Sequence, residues 1–111
     1  MTVDMFKEEL RGLGLPVAYL KFPDRQALPF MVYILPSFEV QYADNMPMAR
    51  RYHGILEVYS ADPDWDLQRR VEKLFLELGI PHEKTVETMV NVEDTVVVVY
   101  EYELFEICEF E

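Results

Sequence analysis

Asp62, Asp64 and Asp66 fall at alternate positions, the spacing with which a calcium loop brings carboxylates onto one hard cation. The rest of such a loop is missing. Leu67 stands where the sharp-turn glycine belongs, and Lys73 where a bidentate glutamate would close the coordination sphere. The same residues start a helix with nothing left over, because Asp accepts from orphan amides, Pro63 suits a first helical position, and acids there oppose the macrodipole. Glu101 and Glu103 lie on one face of a strand about 7 Å apart, close to the separation of paired glycosidase carboxylates. Nothing around them supplies a cleft, and alternating Glu is the pattern of a solvated strand face. His53 and His82 have no Cys or second His at metal-ligand spacing. Gly12-Leu13-Gly14 follows a helical pattern instead of opening one, and no nucleophile elbow, phosphate loop or dinucleotide fingerprint occurs. These observations predict no catalytic residues, no metal and no cofactor.

The elements that would carry these side chains are organised around the run from Thr95 to Phe105. Val96, Val98, Tyr100, Tyr102 and Leu104 alternate with Val97, Val99, Glu101 and Glu103, which predicts a central strand with one fully apolar face. Thr2 or Asp4 can cap a first helix to about Arg11, with Val3, Phe6 and Leu10 on one side, and Gly12 and Gly14 end it. The segment from Leu15 to Pro23 is extended and suits a sheet edge, and a polar loop, Asp24 to Ala27, follows. Pro29 to Pro36 is apolar on both faces and predicts a strand covered on both sides. Ser37 is expected to turn the chain into a second, half-buried strand of Phe38, Val40 and Tyr42.

The partner strand is expected from about Arg50 to Ser60, with Tyr52, Leu56 and Val58 opposite Arg51, His53, Glu57 and Tyr59, and with Gly54 marking a bulge. A second helix is expected to run to about Leu78. Leu67, Val71, Leu74, Leu78 and Phe75 form its buried stripe, Gln68, Arg69, Glu72, Lys73 and Glu77 face water, and Gly79 is the stop. Lys84 to Val90 forms the next strand, and Asn91 to Asp94 turns it into the last. This order implies one α+β domain over residues 1–111, an antiparallel or mixed sheet of about five strands with two helices on one face.

The 111 residues, half of them hydrophobic, suffice for one modest core. Ten basic against 21 acidic residues leave a net charge of −11, which argues against sequence-specific DNA binding. Cys108, the single cysteine, cannot form an internal disulfide. The first ten residues lack the basic flank and apolar run of a signal peptide, and no stretch reaches transmembrane length, so a cytoplasmic protein is expected.

Gly14-Leu15-Pro16-Val17-Ala18-Tyr19, Phe22-Pro23 and Leu28-Pro29-Phe30-Met31-Val32-Tyr33 resemble the opening of small tail proteins of long-tailed phages and prophages of Gram-positive bacteria. Tyr42-Ala43-Asp44 and Leu56-Glu57-Val58-Tyr59 are similar to the middle of that family, and Gly79-Ile80-Pro81, Glu83-Lys84 and Tyr100-Glu101 to its end. These are tail terminator or tail completion proteins. The resemblance spans nearly the whole chain, consists of short structural signatures and brings no catalytic motif. It implies a sheet with helices packed on it and a structural role in a ring, typically hexameric, that caps the tail tube and joins it to the head connector. The implied partners are further copies of the chain, the tube protein and connector proteins, with DNA only as passing cargo. The implied location is the host cytoplasm during assembly, then the virion.

Two surfaces are expected to make such contacts. The sheet face away from the helices would carry Val97, Val99, Glu101 and Glu103, either as a patch meant for another protein or as valines kept for strand propensity. The segment Asp44, Asn45, Met46, Met48, Arg50 and Arg51 is expected to project as a mobile loop, its methionines conforming to a partner and its two arginines setting register against an acidic edge. An ordinary solvated hairpin loop is the other reading of that segment. For the whole chain, a head-side stopper or adaptor, or a small-molecule or peptide module using the Tyr-rich sheet face, are the alternative functions.

Overall fold

The computed structural model describes residues 1–90 and 94–108. Helix α1, Val3–Arg11, begins where the Thr2 hydroxyl accepts from the Met5 amide, so Thr2 rather than Asp4 is the cap. Strand β1, Val17–Tyr19, runs parallel to β2, Phe30–Ala43. Strand β3, Met46–Ser60, helix α2, Trp65–Glu77, strand β4, His82–Val90, and strand β5, Thr95–Ile107, complete the chain. The sheet order is β1-β2-β3-β5-β4, antiparallel except at β1, which makes an α+β fold with a mixed five-stranded sheet.

Strand β5 is central, and its row Val96, Val98, Tyr100, Tyr102 and Leu104 is buried under both helices. Phe6 and Leu10 of α1 and Leu67, Val71 and Phe75 of α2 meet Met31, Tyr33, Leu56 and Val58 there. Phe6 lies 4.9 Å from the Tyr102 ring and 6.2 Å from the rings of Tyr33 and Phe75, so aromatic edges and faces knit the two helices to each other and to β2 and β5. Asp64 caps α2 by accepting from the Leu67 amide at 3.0 Å, which places Pro63 before the cap and not at the first helical position. At the far end Ile80 donates to Phe75 and Gly79 to Leu76. This Schellman closure requires the left-handed φ of 66° at Gly79 and buries Ile80 beneath it.

Several expectations are corrected. Ser37 does not separate two strands. The segment is one long β2 whose register with β3 shifts between Ile34 and Ser37, because Pro36 cannot donate to a ladder and the strand bulges there instead. Gly54, opposite that bulge, is itself regularly paired with Tyr102. A Cβ on Gly54 would sit 2.2 Å from the Tyr102 ring, so glycine is needed for the close approach of that ring and not for a bulge.

Gln68 does not face water. It is 5% exposed, donates from Nε2 to Glu87 at 2.6 Å and accepts from Lys84 Nζ at 2.8 Å, while the Tyr100 hydroxyl donates to Glu72 at 3.2 Å. These bonds tie α2 to β4 and β5. Asp94 has a left-handed φ of 48°; the rest of the expected β4–β5 turn, residues 91–93, lies outside the described residues.

Candidate functional site

The molecule is elongated, 52 × 28 × 23 Å, because β2 and β3 continue past the part of the sheet that the helices cover. Beyond Tyr33 no further strand among the described residues pairs with the outer side of β2, while β3 is still paired with β5 down to Ala49 and Ile107. The result is a three-stranded arm. Its tip is a two-residue turn, Asp44-Asn45, with φ of 51° and 63°, and Ala43 pairs with Met46 across it. Two left-handed residues in succession give the turn whose twist matches that of paired strands, and Asp and Asn tolerate it best after glycine.

The expected mobile loop from Asp44 to Arg51 is therefore a tight turn followed by strand. Its only irregularity is a register shift between Gln41 and Tyr42 that leaves Met48 as an extra residue on β3. Met46 and Met48 are each 51% exposed and Tyr42 66%, all standing out from a preformed scaffold.

The two arginines do not act together, because neighbours in a strand point to opposite sides. Arg50 places its guanidinium 5.6 Å from the centre of the Phe38 ring. Arg51 bonds Glu39 at 2.6 Å on the other face. The Arg51 bond, with a further one from His53, holds the Glu39 carboxyl below its usual range. His53 lies between two carboxylates, Nε2 3.5 Å from Glu39 and Nδ1 4.0 Å from Glu103. Glu101 is exposed and faces Glu83 in register. His82 is structural: its Nδ1–H donates to the Ile80 carbonyl at 3.0 Å and its ring stacks on Phe75 at 4.8 Å.

The sheet face away from the helices is not uniformly bare. Val97 sits between Tyr59 and Thr88 in register and is 7% exposed, and Val99 is half-buried, so the two valines do not form an exposed patch. Glu101 and Glu103 remain on the open part of that face. At its other end, residues 20–29 fold over the sheet and leave an open groove of about 680 Å³. Leu20, Phe22, Leu28, Phe30, Val32 and Tyr59 give it an apolar lining, and Lys21, Asp24, Arg25 and Glu57 add two charges of each sign. The Phe30 ring stacks on Tyr59 at 4.8 Å and receives the edge of Phe22 at 5.3 Å. The polar loop Asp24 to Ala27 is thus part of a groove wall, and the signal for it in the sequence is the set of apolar residues, Leu20, Phe22 and Leu28, that bracket the polar tetrapeptide.

Among the described residues no three His, Cys, Asp or Glu side chains converge on a common point, and no helix is long and apolar enough to cross a membrane. What the arrangement offers is surface: an exposed apolar tip, a stretch of β2 without an outer partner among the described residues, the exposed edge strand β4 and a groove. No protein-family model matches the chain, and the curated proteins yield no match.

Proposed function

We propose that this chain is a structural virion protein, a subunit of the ring that caps the tail tube of a long-tailed phage and joins it to the head connector. The observation that carries the reading is the arm: an ordered three-stranded extension that ends in exposed Tyr42, Met46 and Met48. Apolar side chains held out on a rigid element contribute nothing to the core of their own subunit and are suited to burial against another. The open edges of β2 and β4 offer further sites for association, and the family resemblance of the sequence supplies the setting. A net charge of −11 fits a channel through which DNA passes without adhering.

The test is complementation. Tails assembled without this protein and then supplied with it should become competent for joining to heads, and with the tip trimmed back from Tyr42–Met48 they should not. Full joining in its absence would overturn the reading. A binding module for a small molecule or peptide is the second reading, favoured by the apolar groove under residues 20–29. A head-side stopper or adaptor shares the assembly chemistry and differs in which partner the purified protein captures, connector or tube.

A further inference from the structure

We infer that the arm tip of one copy seats in the groove of the next, so that neighbouring subunits are joined tip to groove. The inference rests on the ring reading and names its contact. From Val40 to Ala49 the chain holds a single charge, Asp44, in a protein whose composition is 28% charged. Copies that each carry −11 repel one another, so contact is favoured where two surfaces are least acidic. The tip is one such surface. The groove is the other, since Lys21 and Arg25 in its lining balance Asp24 and Glu57 and leave it without net charge on a protein of −11.

The chemistry of the two surfaces also matches. Met46 and Met48 present thioethers, which pack favourably at the edges of aromatic rings, and the groove offers Phe22, Phe30 and Tyr59. The groove volume of about 680 Å³ is in the range that accepts a compact apolar guest, and the left-handed turn fixes the guest's shape before binding, which lowers the entropy cost of docking.

A subunit cannot fill its own groove. Tyr59 in the groove and Met46 at the tip lie at opposite ends of β3, roughly 40 Å apart at the rise of an extended strand. Each copy thus carries one tip and one groove at distant ends. Such a heterologous contact propagates head to tail and closes into a ring when the rotation between neighbours permits.

Cross-linking between different copies tests this. In a Cys108→Ser background, Asn45→Cys and Gln26→Cys proteins are purified separately, mixed and oxidised. The expected product is a mixed disulfide dimer, formed at least roughly tenfold faster than between Asn45→Cys and a control Lys73→Cys on the outer side of α2. Equal rates would overturn the inference. In parallel, sedimentation of Met46→Asp and of Phe22→Asp proteins should each show lost self-association with a folded circular-dichroism spectrum. Self-association that survives both changes would place the contact elsewhere and overturn the inference while leaving the ring intact. Wild-type protein that stays monomeric, gives no mixed disulfide and fails to complete tails would remove the ring reading as well.

Discussion

Gly54 and Tyr102 form the tightest residue-level dependence in the fold. The ring occupies the space a side chain on Gly54 would need, at 2.2 Å from an ideal Cβ, and it is held from above by Phe6 and Phe75. Gly54→Ala should therefore destabilise the protein by about 1–3 kcal/mol, as overpacking does, read as a lower urea midpoint. The Tyr102 hydroxyl is buried and has no hydrogen-bond partner, so Tyr102→Phe should be neutral or stabilising by up to about 1 kcal/mol. Burial raises the pKa of both Tyr100 and Tyr102 above the ordinary 10.0, with the Glu72 carboxylate adding to the effect at Tyr100. In the unfolded chain both phenols ionise near 10.0, whereas in the fold they keep their protons. The unfolded state then binds fewer protons, and stability present below pH 10.0 is lost as pH rises above it. Each group can contribute a slope of up to about 1.4 kcal/mol per pH unit. Tyr102→Phe should show a shallower alkaline decline than wild type; identical declines would mean that Tyr102 does not contribute.

At the scale of elements, the turn at Asp44-Asn45 determines the shape of the arm. Asn45→Gly should leave stability within about 0.5 kcal/mol of wild type, while Asn45→Val, forced to a φ of 63°, should cost about 1–2 kcal/mol in thermal or urea unfolding. Removing the helix cap with Asp64→Ala should cost about 1 kcal/mol by the same measurements. The contrast between these elements explains what could be read from residues alone. Both helices, the central β5 row, the Gly79 stop and the α+β class follow from local periodicity and capping, and all are present. The joining of two expected strands into β2 was not legible, because a proline beside a serine reads as a break unless the partner strand that tolerates the bulge is known. The arm reads as a loop for a similar reason. Asp-Asn followed by Met-Pro has the composition of a break, and only the pairing of Ala43 with Met46 makes it a hairpin. The burial of Gln68 depends on Lys84 and Glu87, contributed by a strand on the far side of the helix in sequence, which no helical period reveals.

For the molecule as a whole, the described side chains hold together without a convergent metal-ligand cluster, and dialysis against a chelator should leave the melting temperature unchanged. A fall would assign a structural ion to a part of the surface now read as solvated carboxylates. The distribution of burial also separates two tasks. The helix-covered end of the sheet carries the core, and the arm carries exposed apolar groups with little role in it. On the proposed ring role, substitutions at Met46 and Met48 should change joining of heads to tails while moving the melting temperature by less than about 2 °C. Substitutions at Phe6 or Phe75 should do the reverse.

The bulge between Ile34 and Ser37 sets a phase. Before it, even-numbered residues of β2 such as Val32 and Ile34 lie on the face away from the helices; after it, odd-numbered residues such as Ser37 and Glu39 take that face, opposite His53 and Arg51. One residue has been added to the count, and every side chain of the arm's outer strand is inverted relative to a strand without it. Regular pairing with Pro36 kept in the ladder would set Phe38 opposite Arg51 and send Phe38 and Tyr42 to the side now held by Glu39, whereas deleting Pro36 would remove the extra residue and keep Glu39 opposite Arg51. The arm therefore has parity. It can be lengthened by two residues in each strand and keep its pattern, whereas a single insertion on one side would turn its contact surface inside out.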